Sequence, residues 1–376
     1  MIEDIADFAA HPAVECDVCI VGSGPVGLAI AMEFEGTPVR VVILESGGDG
    51  YESEVEALST IESVGQRRVH QSAVRRRIFG GTSSVWSGRC VPFSAMDLQT
   101  RSWIAHSGWP IQAEDLELYL QRAGRFLEVA PAIYDDRIWS HLGIAPPREA
   151  WDPSIFSTQV FQASVVKHSR SRHIPPPVDP GSTGLASLQH SGAPQAEDLG
   201  ERSRVAIGAS RNIRLILHAH ATEVLTEPAG TRATGVAAKS IHGAHLRVHA
   251  TDVVLSCGGI ENARLLLLSN QVHANGLGNS HDQVGRYLQD HHYAPVGAIT
   301  GGQAAKLRRR LGFRWFDYEG HRHVYMTAVS LSSQRQRESG LTRATLFPFE
   351  HYLRPAAIGS AKRVVQSLQD RDQPLA

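Results

Sequence analysis

Three glycines and one acidic residue near the start of the chain have the types and spacing of a nucleotide-binding motif. Gly22, Gly24 and Gly27 follow the pattern G-x-G-x-x-G, and Glu45 closes the next apolar segment. In such a motif the first glycine permits a tight turn, the second lets a pyrophosphate approach the backbone, and the third lets a helix pack closely on a strand. Glu45 would accept hydrogen bonds from a ribose hydroxyl. These residues predict that the chain binds a dinucleotide.

The segments around the motif have the composition of a strand–helix–strand unit. Residues 17–21 are mostly apolar, as is typical of a buried parallel strand. Pro25 suits the first turn of a helix, because the N–H that it lacks would have no partner there. Residues 39–44 predict a second strand that ends at Glu45. The predicted buried stripe of the helix consists of Val26, Ile30 and Phe34.

A second loop, residues 78–89, is rich in glycine and hydroxyl groups. Its polar and flexible residues are Gly80, Gly81, Thr82, Ser83 and Ser84. Such a loop can lie against a large planar ring and offer N–H and hydroxyl donors to its polar edge, although a plain surface loop is the alternative. The preceding Arg75, Arg76 and Arg77 are interpreted as a solvated basic face rather than as a contact to a diphosphate.

The strand–glycine–helix pattern returns late in the chain. Residues 252–256 predict a buried strand, and residues 261–268 predict a helix directly after the turn at Gly258. A small antiparallel sheet is predicted from residues 213–217, 222–225, 235–238 and 245–250. Other predictions are a helical stretch through residue 77, an amphipathic helix over 114–129 with Leu116, Tyr119, Leu120 and Phe126 on one face, and an exposed connection at 175–192.

The overall composition is that of an ordinary globular chain of 376 residues, with 42% hydrophobic residues, 20% charged residues and a formal net charge of −1. This balance predicts no nucleic acid partner, and no apolar run is long enough to predict a membrane span. The acidic start of the chain does not resemble a secretory signal, so a cytoplasmic location is expected. Cys16 and Cys19 are expected on opposite faces of a strand and not as a redox pair.

Three segments together resemble the glucose–methanol–choline (GMC) family of flavin oxidoreductases. They are GSGPVG with Glu45, RIFGGTSSVWSGRCVPF with the following HSGWP, and DVVLSCGGIENARLLLLSN followed by VGRYLQDHH. The resemblance extends from about Cys16 to Tyr293 and implies FAD as the cofactor. In that family the first segment binds the adenosine end of FAD, and the second lies beside the flavin.

The resemblance also implies the architecture. It predicts an α/β fold with a Rossmann-like FAD/NAD(P)-binding parallel sheet and helices, plus a second α+β substrate module with an antiparallel sheet. The FAD-binding domain would be discontinuous, comprising residues 1–150 and 203–285. An incomplete substrate-binding module would comprise residues 151–202 and 286–376.

The motif and the resemblance together predict the cofactor site. Its residues are Gly22, Gly24, Pro25, Gly27, Glu45, Ser46, Gly80, Gly81, Thr82, Ser83, Ser84, Val224, Ser256 and Gly258. Val224 matches a family valine whose backbone meets the adenine, although an ordinary core valine is the alternative. Some family members tether FAD through a histidine before a tryptophan. Here Val85 precedes Trp86, so the resemblance implies non-covalent FAD.

The catalytic residues are left unknown. Family members use a histidine, followed closely by His or Asn, as the base in their C-terminal portion, and this chain stops at Ala376 before any such segment. A fragment or a truncated reading frame is therefore expected, with the pair beyond Ala376. The alternatives are a second chain that supplies the pair, and a different chemistry. His291 is the nearest candidate present, although a structural role is favoured for it. No metal site is predicted, because pairs such as His218 and His220 lack companion ligands.

These features predict an FAD-dependent oxidoreductase that acts on CH–OH groups. An alcohol, sugar or polyol would become a carbonyl compound while a hydride passes to flavin N5, and this chain alone is expected to be weakly active or inactive. The electron acceptor is left open between oxygen, a quinone and a protein. The alternatives are an NAD-dependent dehydrogenase that uses residues 22–45 and a non-catalytic flavin-binding subunit.

Overall fold

Two β-sheets form the framework of the computed structural model. It describes residues 1–65, 75–131, 133–143, 151–166, 195–291 and 311–347, with seven single positions between these ranges (145, 296, 297, 299, 302, 304 and 307). The strands are β1 (Ile2–Asp4), β2 (Ala13–Val21), β3 (Val41–Leu44), β4 (Arg89–Cys90), β5 (Phe156–Ala163), β6 (Ile213–Leu217), β7 (His220–Thr226), β8 (Ala233–Lys239), β9 (His245–Leu255), β10 (Gly312–Tyr318), β11 (His321–Leu331) and β12 (Thr345–Leu346).

The helices lie between these strands along the chain. They are α1 (Pro25–Glu33), α2 (Ser53–Ala57), α3 (Ala95–Leu98), α4 (Ala113–Phe126), α5 (Arg137–His141), α6 (Leu199–Ala209), α7 (Gly259–Leu268) and α8 (Ser333–Ser339). Two short 3-10 helices cover Ile5–Phe8 and Gly81–Ser84.

The seven-stranded sheet has the order β1-β6-β3-β2-β9-β8-β7. The first five of these strands are parallel, while β8 and β7 run antiparallel. β3, the next strand along the chain, pairs with one side of β2. β9, which comes much later in the chain, pairs with the other side. This reversal of strand order creates a crevice at the carboxyl ends of the parallel strands, where open α/β sheets bind ligands.

Apolar side chains cover both faces of this sheet. On one face, Leu28 and Ala31 of α1 and Leu199 and Ile207 of α6 pack against the strands. On the other face, β7, β8 and β9 pack with Leu265 of α7 in a second cluster. The strands between these layers are buried on both sides, which explains their continuous apolar runs.

A bulge in β2 changes which side chains share a face. The N–H groups of both Asp17 and Val18 donate to the carbonyl oxygen of Arg40, at 2.9 and 3.1 Å. The alternation of side chains shifts at this point, so Cys16 and Cys19 contribute to the same hydrophobic cluster. The prediction of opposite faces is therefore wrong. Both thiols are free, and burial raises the pKa of Cys16 to about 11 and that of Cys19 further.

Three predictions about strands need correction. Residues 213–217 do not belong to the antiparallel sheet, since β6 pairs in parallel with β3 and β1. The two predicted strands at 245–250 and 252–256 form the single strand β9, which ends at Leu255 and joins the parallel and antiparallel parts. No strand is predicted at the start of the chain, but β1 lies there and forms one edge of the sheet. Strand propensity alone did not distinguish these partners, which are distant in sequence.

Three helix predictions are confirmed in position, those of α1, α4 and α7, but not in every buried face. In α1, Gly27 must face the strand turn, which directs Leu28 and Ala31 inward and leaves Val26 61% exposed. The predicted stripe through Val26 is therefore wrong. α4 is found where an amphipathic helix is predicted, but its Tyr119 is 59% exposed.

Two other predicted segments lie partly or wholly outside the described residues. The predicted helical stretch through residue 77 is wrong for 58–65 and 75–77, which are not helical, and only α2 is found in its described part; residues 66–74 lie outside the described residues. The predicted connection at 175–192 also lies outside them. No helix within the described ranges is long and apolar enough to cross a membrane.

The five-stranded sheet has the order β10-β11-β5-β4, with β12 paired to β11. All of its pairings are antiparallel, which confirms the fold class of a parallel α/β unit plus an antiparallel module. Trp139 of α5 covers one face by packing edge-on to Tyr325 at a ring separation of 5.6 Å. The residue bounds of the two domains stay a prediction.

His218 ties three separate segments together just after β6. Its Nδ1 bonds to a carboxylate oxygen of Asp4, and its Nε2 lies 3.0 Å from Oε1 of Glu52. Its backbone N–H donates to the carbonyl oxygen of Gly47. Burial lowers the pKa of His218, but the hydrogen bonds to Glu52 and Asp4 raise it by more, so the net pKa is above 6.5. The imidazolium form therefore links the end of β6 to β1 through Asp4, and to the segment after β3 through Glu52.

We predict that the His218 bridge makes a pH-dependent contribution to stability. Because the folded-state pKa is raised, the contribution is fully present below about pH 6.5 and is lost as pH rises through the folded-state pKa. The thermal midpoint of the wild type should exceed that of His218→Gln at about pH 6, and the difference should shrink towards pH 9. His245→Gln, at an exposed position of β9, is the matched control. A difference that is constant across this pH range would contradict the ionic bridge.

Candidate functional site

The crevice at the carboxyl edge of the parallel strands brings together three of the predicted segments and His220, which is not predicted to belong to the site. The glycine turn follows β2, Glu45 follows β3, and Ser256 follows β9. His220 comes shortly after the end of β6, at the start of β7. These residues are far apart in sequence, and only the parallel alignment of their strands places them at one edge.

The glycine turn after β2 is built by close backbone contacts. Gly22 has a φ of 99°, and a Cβ at this position would lie 2.8 Å from the carbonyl oxygen of Ser256. A Cβ on Gly27 would overlap the carbonyl oxygen of Gly22 and lie 2.7 Å from Ser256 Oγ. Glycine is therefore required at both positions for the turn to form.

Gly24 differs, because a Cβ there would meet nothing within 4 Å. Gly24 is the N-cap of α1, has no side-chain cap, and is followed by Pro25. The first N–H groups of a helix bind anions when no side chain caps them. The open space beside Gly24 and the uncapped end of α1 fit a pyrophosphate.

Ser256 and Gly258 shape the same edge from β9. Ser256 Oγ lies 2.8 Å from the carbonyl oxygen of Val21 and 2.9 Å from that of Gly22, so its hydroxyl donates to the glycine turn. Gly258 has a φ of 85° and forms the N-cap of α7 without a side-chain cap. Ser256 therefore supports the turn from behind, and Gly258 leaves a second helix end open.

Glu45 is buried beneath the turn. Its Oε2 accepts hydrogen bonds from the N–H and the hydroxyl of Ser23, at 3.0 and 2.5 Å, and its Oε1 accepts from the N–H of Gly47 at 2.9 Å. Burial raises the pKa of Glu45 in spite of these bonds. A carboxylate accepts about four hydrogen bonds, so about one position remains for a ribose hydroxyl.

Ser46 belongs to a buried polar cluster that the sequence analysis did not assemble. Arg77 Nη1 donates to Ser46 Oγ at 2.8 Å and lies 3.3 Å from His220 Nδ1. Its Nη2 pairs with Glu261 of α7 at 2.8 Å, and Arg75 pairs with the same carboxylate. Burial raises the pKa of Glu261, but Arg77, Arg75 and Arg264 lower it by more, so it stays ionised at neutral pH.

The cluster corrects the interpretation of the three consecutive arginines. Arg76 and Arg77 are 7% and 9% exposed, so they do not form a solvated basic face. The backbone N–H of Arg77 donates to Glu56, and its side chain donates to Ser59 and Glu261. The charge of Arg76 acts on the carboxyl of Glu56. A run of arginines gives no signal for such partners, because the carboxylates come from α2 and α7.

The second glycine loop lies directly against the first. Gly81 has a φ of 54°, and a Cβ on it would lie 2.9 Å from Cα of Gly24. The Gly80 N–H donates to Ser23 Oγ at 3.3 Å. Ser23 thus joins the loop to Glu45. The structure brings the two predicted glycine loops together at the open end of α1.

The hydroxyls of this loop are used unequally. Ser83 Oγ donates to the carbonyl oxygen of Gly80 and accepts from the N–H of Leu199. Ser84 Oγ donates to the carbonyl oxygen of Gly81. These two hydroxyls stabilise the 3-10 helix, which leaves Thr82 as the loop hydroxyl without a hydrogen bond to another described residue.

Three other predicted residues lie away from this contact. Val224 is buried, and its N–H donates to Ser269 Oγ at 2.9 Å, so its role towards an adenine stays a prediction. His291 is exposed, and its N–H donates to Oδ1 of Asp290. Trp86 donates from its indole to the carbonyl oxygen of Glu197 and packs against the core below α1 and α6.

His218 and His220, whose H-x-H spacing would place both rings on one face of a regular strand, do not form such a pair. His218 has a φ of 53°, which ends the extended geometry assumed for the H-x-H spacing, and the two rings bind different partners. Within the ranges that the structure describes, no three side chains converge in a way that would hold a metal ion.

This arrangement defines a dinucleotide-binding α/β protein with an added antiparallel module. A family model for GMC oxidoreductases matches residues 55–293. The chain therefore belongs to the GMC oxidoreductase family, and FAD is the cofactor that this membership assigns to it. The matched range begins after Glu45, so the first glycine motif supports the assignment independently.

Comparison with solved structures and with curated proteins adds context. A formate oxidase shares 15% identity, with 69% of this chain and 48% of that chain covered and a TM-score of 0.42. A variant of formate oxidase from Aspergillus oryzae RIB40 shares 16%, with 68% and 48% covered and a TM-score of 0.38. Pyridoxine 4-oxidase from Mesorbium loti shares 15%, with 67% and 51% covered and a TM-score of 0.36.

The chain thus spans about half the length of the solved structures it matches. No curated protein matches its sequence.

We predict that alanine at Gly24 separates cofactor binding from folding. The backbone of Gly24 has φ −69° and ψ −176°, which alanine adopts readily, and the space around it is open. Gly24→Ala should therefore keep the thermal midpoint of the cofactor-free protein but weaken FAD binding at least about tenfold, because its Cβ blocks the approach of the pyrophosphate. The measurements are thermal unfolding and titration of FAD.

Two further variants act as controls. Gly27→Ala should lower stability by about 1–3 kcal/mol, because the new Cβ meets fixed backbone. Gly208→Ala, in α6 with open space around it, should leave FAD binding unchanged and raise stability by up to about 1 kcal/mol, because alanine favours the helix. If Gly24→Ala bound FAD as tightly as Gly208→Ala, the pyrophosphate would not lie against Gly24.

Proposed function

We propose that this chain holds FAD non-covalently for an oxidoreductase that acts on CH–OH groups. One observation carries the proposal: the loop at Gly81 meets the turn at Gly24, beside the uncapped start of α1. The first loop suits a pyrophosphate and the second suits a planar ring system. Their contact gives one continuous surface for a molecule that contains both parts, as FAD does.

When bound, FAD would supply the redox chemistry, which is the uptake of a hydride from the carbon that carries the hydroxyl group. The chain supplies the binding and the positioning. The end of α1 and Gly24 would bind the pyrophosphate, and Glu45 would accept a ribose hydroxyl. Thr82 would offer its hydroxyl to the polar edge of the flavin, while Ser83 and Ser84 keep the loop rigid.

Non-covalent binding follows from the chemistry of the loop. Val85 offers no nucleophile for a covalent bond to the flavin, and the indole N–H of Trp86 is already bonded to Glu197. The loop can therefore position the ring system only through packing and hydrogen bonds. Denaturation should release the cofactor.

The substrate class and the partners are the finer part of the proposal. An alcohol, a sugar or a polyol would bind between the flavin and the antiparallel sheet, and electrons would leave to oxygen, a quinone or a protein. The base that takes the hydroxyl proton is not assigned to any described residue, since His291 is exposed. A second chain that provides this base is part of the same proposal.

We predict that the purified chain carries a releasable flavin. Its absorption spectrum should show flavin bands near about 375 and 450 nm, and heating should transfer them to the supernatant after the protein is removed. Gly24→Ala should carry less flavin, with Gly208→Ala as the matched control. A colourless protein that takes up no added FAD but quenches NADH fluorescence would instead favour the NAD-dependent dehydrogenase.

We predict further that substrates with a CH–OH group bleach the bound flavin. In the absence of oxygen, at least one member of a panel of primary alcohols, secondary alcohols, aldoses and polyols should decrease the absorbance at about 450 nm. The decrease should be slow, well below ordinary enzymatic rates, because no described residue is assigned as the base. The same panel without protein, with free FAD, is the control. Bleaching by NADH and by no hydroxyl compound would contradict the proposed substrate class.

A further inference from the structure

His220 lies where the nucleotide end of the crevice is expected. It begins β7, and its Nδ1 is 3.0 Å from Oγ of Ser46, the residue that follows Glu45. Glu45 is the acceptor predicted for the ribose, so a group that contacts Ser46 is close to the base attached to that ribose. The position of His220 therefore suggests a role in holding the base.

The neighbours of His220 determine which ring nitrogen carries the proton. The guanidinium of Arg77 can only donate, and its Nη1 lies 3.3 Å from Nδ1, so Nδ1 must be an acceptor. Arg77 also donates to Ser46 Oγ, which leaves the Ser46 hydroxyl hydrogen to point towards Nδ1. The neutral ring therefore carries its hydrogen on Nε2.

Arg77 itself cannot move away easily. Its Nη2 pairs with Glu261 at 2.8 Å, and its Nε donates to Ser59 Oγ at 2.8 Å. Burial, followed by the charges of Arg77 and Arg264, lowers the pKa of His220 to about 4. The ring is therefore neutral at physiological pH, and its tautomer is fixed by a buried arginine.

The Nε2–H of His220 has no hydrogen-bond partner among the described residues, while the side chain keeps some exposure. An oriented N–H donor at the edge of a nucleotide crevice suits an aromatic nitrogen acceptor. The ring nitrogens of a purine are such acceptors.

We infer that His220, held in the Nε2–H tautomer by Arg77 and Ser46, binds the adenine of the cofactor by donating to a ring nitrogen. This inference rests on the proposed function, because it requires FAD in the crevice. It assigns a base-binding role to a histidine and a positioning role to Arg77, which does not touch the cofactor itself.

The test uses two substitutions of His220 and three nucleotides. His220→Phe keeps the ring shape but removes the donor, and it should weaken the binding of FAD and of ADP by the same factor, about tenfold. FMN lacks adenine, so its affinity should not change. His220→Gln places an amide N–H near the former Nε2 and should restore most of the affinity. His245→Phe, at an exposed position, is the control.

The outcomes separate this inference from the proposed function. Unchanged binding of FAD and ADP by His220→Phe would overturn the inference and leave the proposed function intact. An equal loss for FAD and FMN, with a lower thermal midpoint, would show that His220 is structural and would also overturn it. A wild-type chain that binds neither FAD nor FMN would overturn the proposed function and the inference together.

Discussion

The rest of the site depends on one contact, in which the turn after β2 packs against the residue that follows β9 and against the first turn of α1. Gly22 and Gly27 allow backbone atoms to approach more closely than any side chain permits, and Ser256 ties the turn to β9 through its hydroxyl. This contact sets the direction of α1 and leaves its N-terminus uncapped at Gly24. The place where an anion can bind is therefore a consequence of backbone packing.

A second constraint is the network of buried charges behind the nucleotide crevice. Arg77 connects Ser46, His220 and Glu261, which come from three different parts of the fold. A buried guanidinium must be paired and hydrogen-bonded to be tolerated. The hydrogen bonds that stabilise the buried charge of Arg77 also fix the ring of His220. One set of contacts therefore stabilises the guanidinium and orients the histidine.

The two glycine loops illustrate how local and tertiary information combine. The small residues of 78–89 predict a loop, and the glycine spacing of the first motif predicts a nucleotide-binding turn. Neither segment alone predicts that Gly81 lies against Gly24, or that Ser23 links Glu45 to Gly80. The family match to residues 55–293 relates the second segment to flavoproteins, while the first segment is supported by its own geometry.

Local spacing along the chain was enough to predict the βαβ unit, the second glycine loop and the late strand–glycine–helix pattern, and the resemblance gave the family. The parallel pairing of β6, the change of face in β2 at Asp17 and the contact of Arg77 with His220 appear only in the folded structure. The physical reason is that strand partners, bulges and buried ion pairs are selected by segments distant in sequence, so no local pattern records them.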